Sequence, residues 1–234
     1  MPRGEPRHAD ISVFRQSLHD EFALFKTIVS QNLILNEIVF GSAAQNVECQ
    51  DWTRLRYDDP LREVFVMFFL FEVCLTTCDN GGVQLDRLVL PNLSYIEMNG
   101  KCIQGFFQSN VFAADSLGRL CGNSFSFLVQ DVSRVMQSIH LDESEAAVLF
   151  FMALTQSVSA MRRHSATEIK RSNLLAELTK SQTQQSGSAE PSRNNSLLYL
   201  VGQLLQGAST FQEVLALFYV ANIPMSNYYP QHHQ

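Results

Sequence analysis

The chain has 234 residues, 46% of them hydrophobic and 17% charged, with a formal net charge of −6. That is length for one large or two small domains with a substantial core. A net acidic chain lacks the clustered basic surface that phosphate contacts need, which argues against nucleic-acid binding by these residues.

In chain order, residues 1–9 read as a disordered N-terminus, and the run Met1-Pro2-Arg3-Gly4-Glu5 has no apolar core of the secretory type. The first helix runs from Ile11 to about Ser30, with Phe14, Leu18, Phe22, Phe25 and Val29 on one face. A second is expected from Asn32 to Leu55, carrying Ile34, Ile38, Val47 and, near its end, Trp52; Gly41 weakens it. Asp58-Asp59-Pro60 is a helix start, caps followed by proline at the first position. It opens Leu61 to Thr77, apolar on nearly every side and therefore expected at the centre of the fold. The run Val64 to Phe71 is bracketed by Glu63 and Glu72 and falls short of the ~20 residues a membrane span takes.

Strand signals are confined to one place. Asp79-Asn80-Gly81-Gly82 is a turn, Leu85 to Leu90 a strand, Pro91-Asn92 a turn, and Ser94 to Met98 a second strand. Helical periodicity then returns over Cys102 to about Phe112, Ser124 to Ile139, Glu143 to Met161 and Thr167 to Thr179. Ser181 to Ser196 is rich in Ser, Gln and Gly and reads as a disordered loop. An amphipathic helix from Leu197 to Ala221 follows, stopped by Pro224, and Met225 to Gln234 reads as a tail. The fold class is all-α.

The segment from Leu141 to Phe151 carries the clearest local signal. Asp142 can cap the first turn, and Glu143 and Glu145 suit the positive end of the helix dipole. Ala146, Leu149, Phe150 and Ala153 recur at helical spacing, with Val148 and Phe151 widening the apolar face.

The five cysteines, Cys49, Cys74, Cys78, Cys102 and Cys121, form no CxxC pair, so no zinc-finger module is encoded by these residues. Cys74 and Cys78, four apart on an apolar helix, read as buried thiols suited to a reducing compartment. The six histidines are scattered, with His140 read as a partly exposed turn residue. No nucleophile elbow, phosphate loop or dinucleotide fingerprint occurs. We therefore expect no enzyme, no catalytic residue, no metal and no cofactor.

These segments, in this order, resemble the ligand-binding domain of nuclear hormone receptors, in a divergent, nematode-like form. Trp52-Thr53-Arg54 resembles the end of the family's third helix. Asp58-Asp59-Pro60-Leu61 through Val64-Phe65 is similar to the start of its fourth and fifth helices, with Pro60 in place of the usual Gln. Leu88-Val89-Leu90-Pro91-Asn92 matches its hairpin, Leu141 to Phe151 its eighth helix and Leu197 to Ala221 its tenth-eleventh. The match covers residues 10–222 and implies a three-layer antiparallel helical sandwich with one small β-hairpin. The segment 223–234 departs from the family: no Asp or Glu follows Glu213, so an activation helix with its usual carboxylate is not recognisable.

The resemblance implies three sites. A lipophilic ligand would sit among Val64, Phe65, Phe68, Phe69, Glu72, Leu90, Ile96 and Met98. Bulky Phe at helical spacing equally suits a filled interior, so an open and a closed pocket both remain as readings. An amphipathic coregulator helix would dock near Arg54, with Arg56 beside it, each a candidate cap for the partner's C-terminal carbonyls. A homo- or heterodimer would form through Leu197, Leu200, Leu204 and Leu215. The function implied is a ligand-binding and dimerisation domain of a transcription regulator in the nucleus, with no membrane association. The rival reading is a helical lipid carrier or adaptor with no role in transcription.

Overall fold

The computed structural model describes residues 7–40, 52–55, 59–99, 105–107, 111–162, 191–223 and 225, apart from the side chains at 34, 38, 54, 111–115, 158–162 and 191–192. Asp10 opens α1 (Ile11–Gln31): its carboxylate accepts the backbone N–H groups of Ser12 and Val13, both at 2.9 Å. A cap of this kind satisfies donors that a helix start otherwise leaves without partners. The five residues expected on its inner face are all buried. Asn32 then ends α1, and its side chain accepts from Leu35 N at 3.1 Å to open α2 (Leu33–Phe40). Of the remaining helix expected up to Leu55, residues 41–51 lie outside the described residues. Trp52–Arg54 forms a 3₁₀ turn rather than an α-helical one.

Asp59 caps α3 (Pro60–Asp79), accepting from Leu61 N at 2.9 Å, with Pro60 at the first position. From Leu61 to Val73 nearly every side chain is buried, as its all-round apolar sequence predicts. Gly81, in the left-handed region at φ 68°, turns the chain into the short α4 (Gly82–Leu85). Here β1 (Arg87–Val89) pairs antiparallel with β2 (Tyr95–Glu97), Leu88 opposite Ile96. Both strands are shorter than expected, and Leu85 belongs to α4 rather than to the first strand. Thr77 fastens the hairpin to α3 by accepting from Val89 N at 3.0 Å.

The N-terminus differs from expectation. Residues 7–9 run parallel to β2: Tyr95 N donates to Arg7 O at 2.9 Å and Ala9 N to Tyr95 O at 2.7 Å. This segment is held by backbone bonds, and Ala9 is fully buried.

A single rod follows. α5 (Val111–Phe127) passes through a π-helical segment (Leu128–Ser133) into α6 (Arg134–Ile139), so it starts well before the expected Ser124. Of the helix expected over residues 102–112, only residues 105–107 and the start of α5 are described. His140, at φ 52°, ends the rod as an exposed turn residue.

A reciprocal cap then starts α7 (Glu143–Arg162). Asp142 Oδ1 accepts from Glu145 N at 2.7 Å, and Glu145 Oε2 accepts from Asp142 N at 3.3 Å. The helix expected over residues 167–179 lies outside the described residues. α8 (Pro191–Val220) begins inside the stretch read as a loop, with proline at its first position. Beyond α8, Ile223 N donates to Phe218 O at 2.9 Å, and the chain turns back so that His19 Nε2 donates to Met225 O at 2.9 Å. The first residue of the expected tail is thus buried on α1, and residues 226–234 lie outside the described residues.

The fold is all-α with one small β-hairpin. α3 is its inner element, packed against α1, α2, α7, α8, the hairpin and the π segment. No helix among the described residues is long and apolar enough to cross a membrane.

Candidate functional site

The eight residues implied for a ligand pocket come together around α3 and the hairpin. Val64, Phe65, Phe68, Phe69, Leu90 and Ile96 are buried, while Glu72 and Met98 are half-buried. The aromatic members are in direct ring contact with neighbouring helices. Phe65 meets Phe22 edge-on at 4.9 Å between centroids, Phe68 meets Phe25 at 5.3 Å, and Phe69 meets Phe211 at 5.7 Å. Phe14, from α1, lies at the hub: Phe69, Phe106, Phe125, Phe211 and Phe218 surround it at 5.6–6.3 Å. Ring centroids at such separations are those of rings that touch.

Glu72 is the one carboxylate among these residues. Burial pushes its carboxyl above the usual range. Glu21 on α1 is raised as well, first by burial and then by the charges of Glu72 and Asp20. The two acids therefore oppose each other across the α1–α3 contact. Neither has a hydrogen bond or ion pair among the described residues.

Trp52, placed by the 3₁₀ turn, is buried against Phe65, with ring centroids 6.0 Å apart. Of the two cations implied for coregulator docking, the side chain of Arg54 and all of Arg56 lie outside the described residues. A third cation, missed by the sequence reading, occupies this corner. Arg62 is buried, its guanidinium lies 5.4 Å from the Trp52 ring, and its Nη1 donates to Leu55 O at 3.3 Å. Its position in the first turn of α3 was legible; its inward direction was not.

The dimer residues need correction. Leu197, Leu200, Leu204 and Leu215 are all turned into the protomer's own core, each 3% exposed or less. They cannot face a second subunit without unfolding α8. The outward side of the helix carries Leu198, Tyr199, Gly202, Gln206 and Ser209 instead. An added Cβ at Gly202 would meet nothing within 4 Å.

The sequence reading also missed the pair that pins α7 to α8. Arg193 Nε and Nη2 donate to the two carboxylate oxygens of Glu145 at 2.6 and 2.5 Å, and Nη1 donates to Ile139 O at 3.1 Å. The Glu145 side chain is 5% exposed. The same carboxylate that closes the α7 cap therefore anchors the first turn of α8. Proline at 191 was the available signal for a helix start there.

Cys74, Cys78 and Cys121 are reduced, and burial pushes each thiol up to about 12. Thiols held protonated are poor nucleophiles and poor ligands. Among the described residues no three His, Cys, Asp or Glu side chains gather as metal ligands. No family model matches this chain, and no curated protein matches it.

Proposed function

We propose that this chain is a nuclear-receptor-type ligand-binding domain working as a ligand-independent interaction module in transcription control. The family part of the reading is supported by the order of elements. A buried central helix ends in a small hairpin, a long rod follows, and a reciprocally capped helix begins at Leu141-Asp142. The ligand-independent part is supported by one observation: Phe65, Phe68 and Phe69 of the implied pocket are in direct contact with rings of neighbouring helices. Rings in such contact favour surfaces over a cavity as the means of action. Of the non-transcriptional rivals, the same observation disfavours a lipid carrier and favours an adaptor.

The outer face of α8 is the surface we assign to a second copy of this chain. It is uncharged from Leu198 to Gln212, so two copies meet there without like-charge repulsion, and Gly202 allows close approach.

Two measurements test the reading. Fused to a heterologous DNA-binding module, the chain should change reporter transcription in cells, and Leu198→Glu should weaken both that effect and self-association in ultracentrifugation. An inert fusion would remove the transcriptional reading and leave the adaptor. Native mass spectrometry of protein purified from cells should show the bare chain mass; a stoichiometric lipid would sink the filled-interior argument.

A further inference from the structure

A cleft of about 250 Å³ lies where α3 and α6 end. It is lined by Leu75, Cys78 and Asp79 from the last turns of α3, Met136 and Gln137 from α6, and the His140-Leu141 turn. None of these residues belongs to the ligand, coregulator or dimer sites considered above. Its floor is aliphatic, with Met136 buried and Leu75 and Leu141 half-buried.

Most polar groups on its walls are already engaged. Gln137 donates to Cys78 O at 3.5 Å and accepts from Gln84 Nε2 at 2.7 Å. The Cys78 thiol donates to Ser133 O at 3.1 Å, and Arg193 takes the carbonyls of Ile139 and His140. Asp79 differs. Its side chain is exposed and has no hydrogen bond or ion pair among the described residues. It closes a helix of 20 residues, whose C-terminal end adds negative potential to the carboxylate's own. Burial and then the Asp79 charge hold the Cys78 thiol protonated, so the thiol adds no charge to the cleft.

We propose that this cleft binds a primary alkylammonium, its stem on Leu75, Met136 and Leu141 and its head against Asp79. At ~30 Å³ per water, the space equals roughly eight waters, enough for the seven heavy atoms of n-hexylammonium. An aliphatic floor beside the exposed Asp79 carboxylate suits a cation with an apolar stem better than an anion or a neutral alcohol, even with His140 and the Arg193 guanidinium at the far wall.

The test uses the full chain labelled with ¹³C-methyl methionine, the Met136 methyl signal being assigned from Met136→Leu. Titration with n-hexylammonium chloride at constant ionic strength should shift that signal saturably. The shorter n-butylammonium should bind about tenfold more weakly, because two methylenes of burial are lost. On the surface residue Asp79, Asp79→Asn should weaken hexylammonium about three- to fivefold, the scale of one exposed charge pair, and leave n-hexanol unaffected. A second arm uses Nα-acetyl-lysine methylamide. If it shifts Met136 as well, the natural source is a protein lysine; if only the free alkylamines do, it is a small-molecule amine. No saturable Met136 shift at millimolar amine, equal binding of n-hexanol, or an unchanged affinity in Asp79→Asn would each overturn the proposal.

Discussion

Removing the Arg193 side chain tests whether residues 191–196 are held as helix or hang as a loop. In the folded chain Arg193 makes both of its short bonds to Glu145, whose side chain is 5% exposed, while its own side chain is 34% exposed. Arg193→Ala strands a buried carboxylate. Breaking a fully buried pair from one side costs about 3–5 kcal/mol. The exposed half of this pair is screened by water, which places the loss at about 2–3 kcal/mol. Glu145 also keeps its bond from Asp142 N, so the α7 cap survives the change. At about 2–4 °C per kcal/mol for a chain of this size, the Tm should fall by about 4–12 °C. Urea denaturation gives the free energy directly. Glu145→Gln should cost less, because Arg193 is then left partly in water. A double-mutant cycle over Glu145→Gln and Arg193→Ala should return a coupling of about 1–2 kcal/mol. Arg193→Lys should recover only part of the loss, since an ammonium cannot span both carboxylate oxygens. A loss below about 0.5 kcal/mol, the scatter of ordinary surface changes, would refute the reasoning: the first turn of α8 would then not be anchored in solution.

Other expectations follow from the same geometry. An added Cβ at Gly82 would lie 2.5 Å from Arg87 O and 2.7 Å from Thr77 Cγ2, so Gly82→Ala must displace the start of the hairpin and should cost about 1–3 kcal/mol in urea denaturation. Gly202→Ala, where an added Cβ meets nothing within the protomer, should instead stabilise the isolated protomer by about 0.5–1 kcal/mol. Phe14→Ala, at the hub of the ring cluster, should cost about 3–5 kcal/mol and flatten the near-ultraviolet circular dichroism; retention of both would mean the rings do not pack as described. Glu72 carries a raised folded-state pKa, so the folded chain binds more protons than the unfolded one above about the ordinary 4.5, and stability falls as pH rises through the raised value. Glu72→Gln should accordingly stabilise the protein at neutral pH, with the gain shrinking as pH falls toward 4.5; a gain independent of pH would rule out charge burial as its cause.

The sequence was most legible where local chemistry and periodicity agree. Asp59 before Pro60 supplies a cap, and the apolar spacing of α1 and the all-round apolarity of α3 leave little choice of structure. It was least legible where the decisive bonds are distant. Residues 7–9 are fixed by backbone pairing with Tyr95, which leaves no side-chain pattern to read. Residues 191–196 are polar and locally uncommitted, and are held by a carboxylate 48 residues away. The early part of α5 did carry a signal, since Leu117, Cys121 and Phe125 are buried at four-residue spacing, but Gly118 and Gly122 masked it.

The misassigned dimer residues show a limit of a different kind. Periodicity identifies the residues that share one face of a helix. It does not say whether that face meets the core or a partner, because both demand the same apolar residues at the same spacing. On α8 the Leu197-Leu200-Leu204 stripe and the Leu198-Tyr199 stripe are both apolar, and only contact with α3, α7 and the α5–α6 rod decides that the first lies inward. The pocket question has the same form. Phe65, Phe68 and Phe69 would line a cavity or fill one with identical spacing, and the answer depends on Phe22, Phe25 and Phe211 from other helices. A ligand site in a helical layer is therefore a property of facing pairs of stripes. A single stripe bounds where the site can be without saying whether there is space in it.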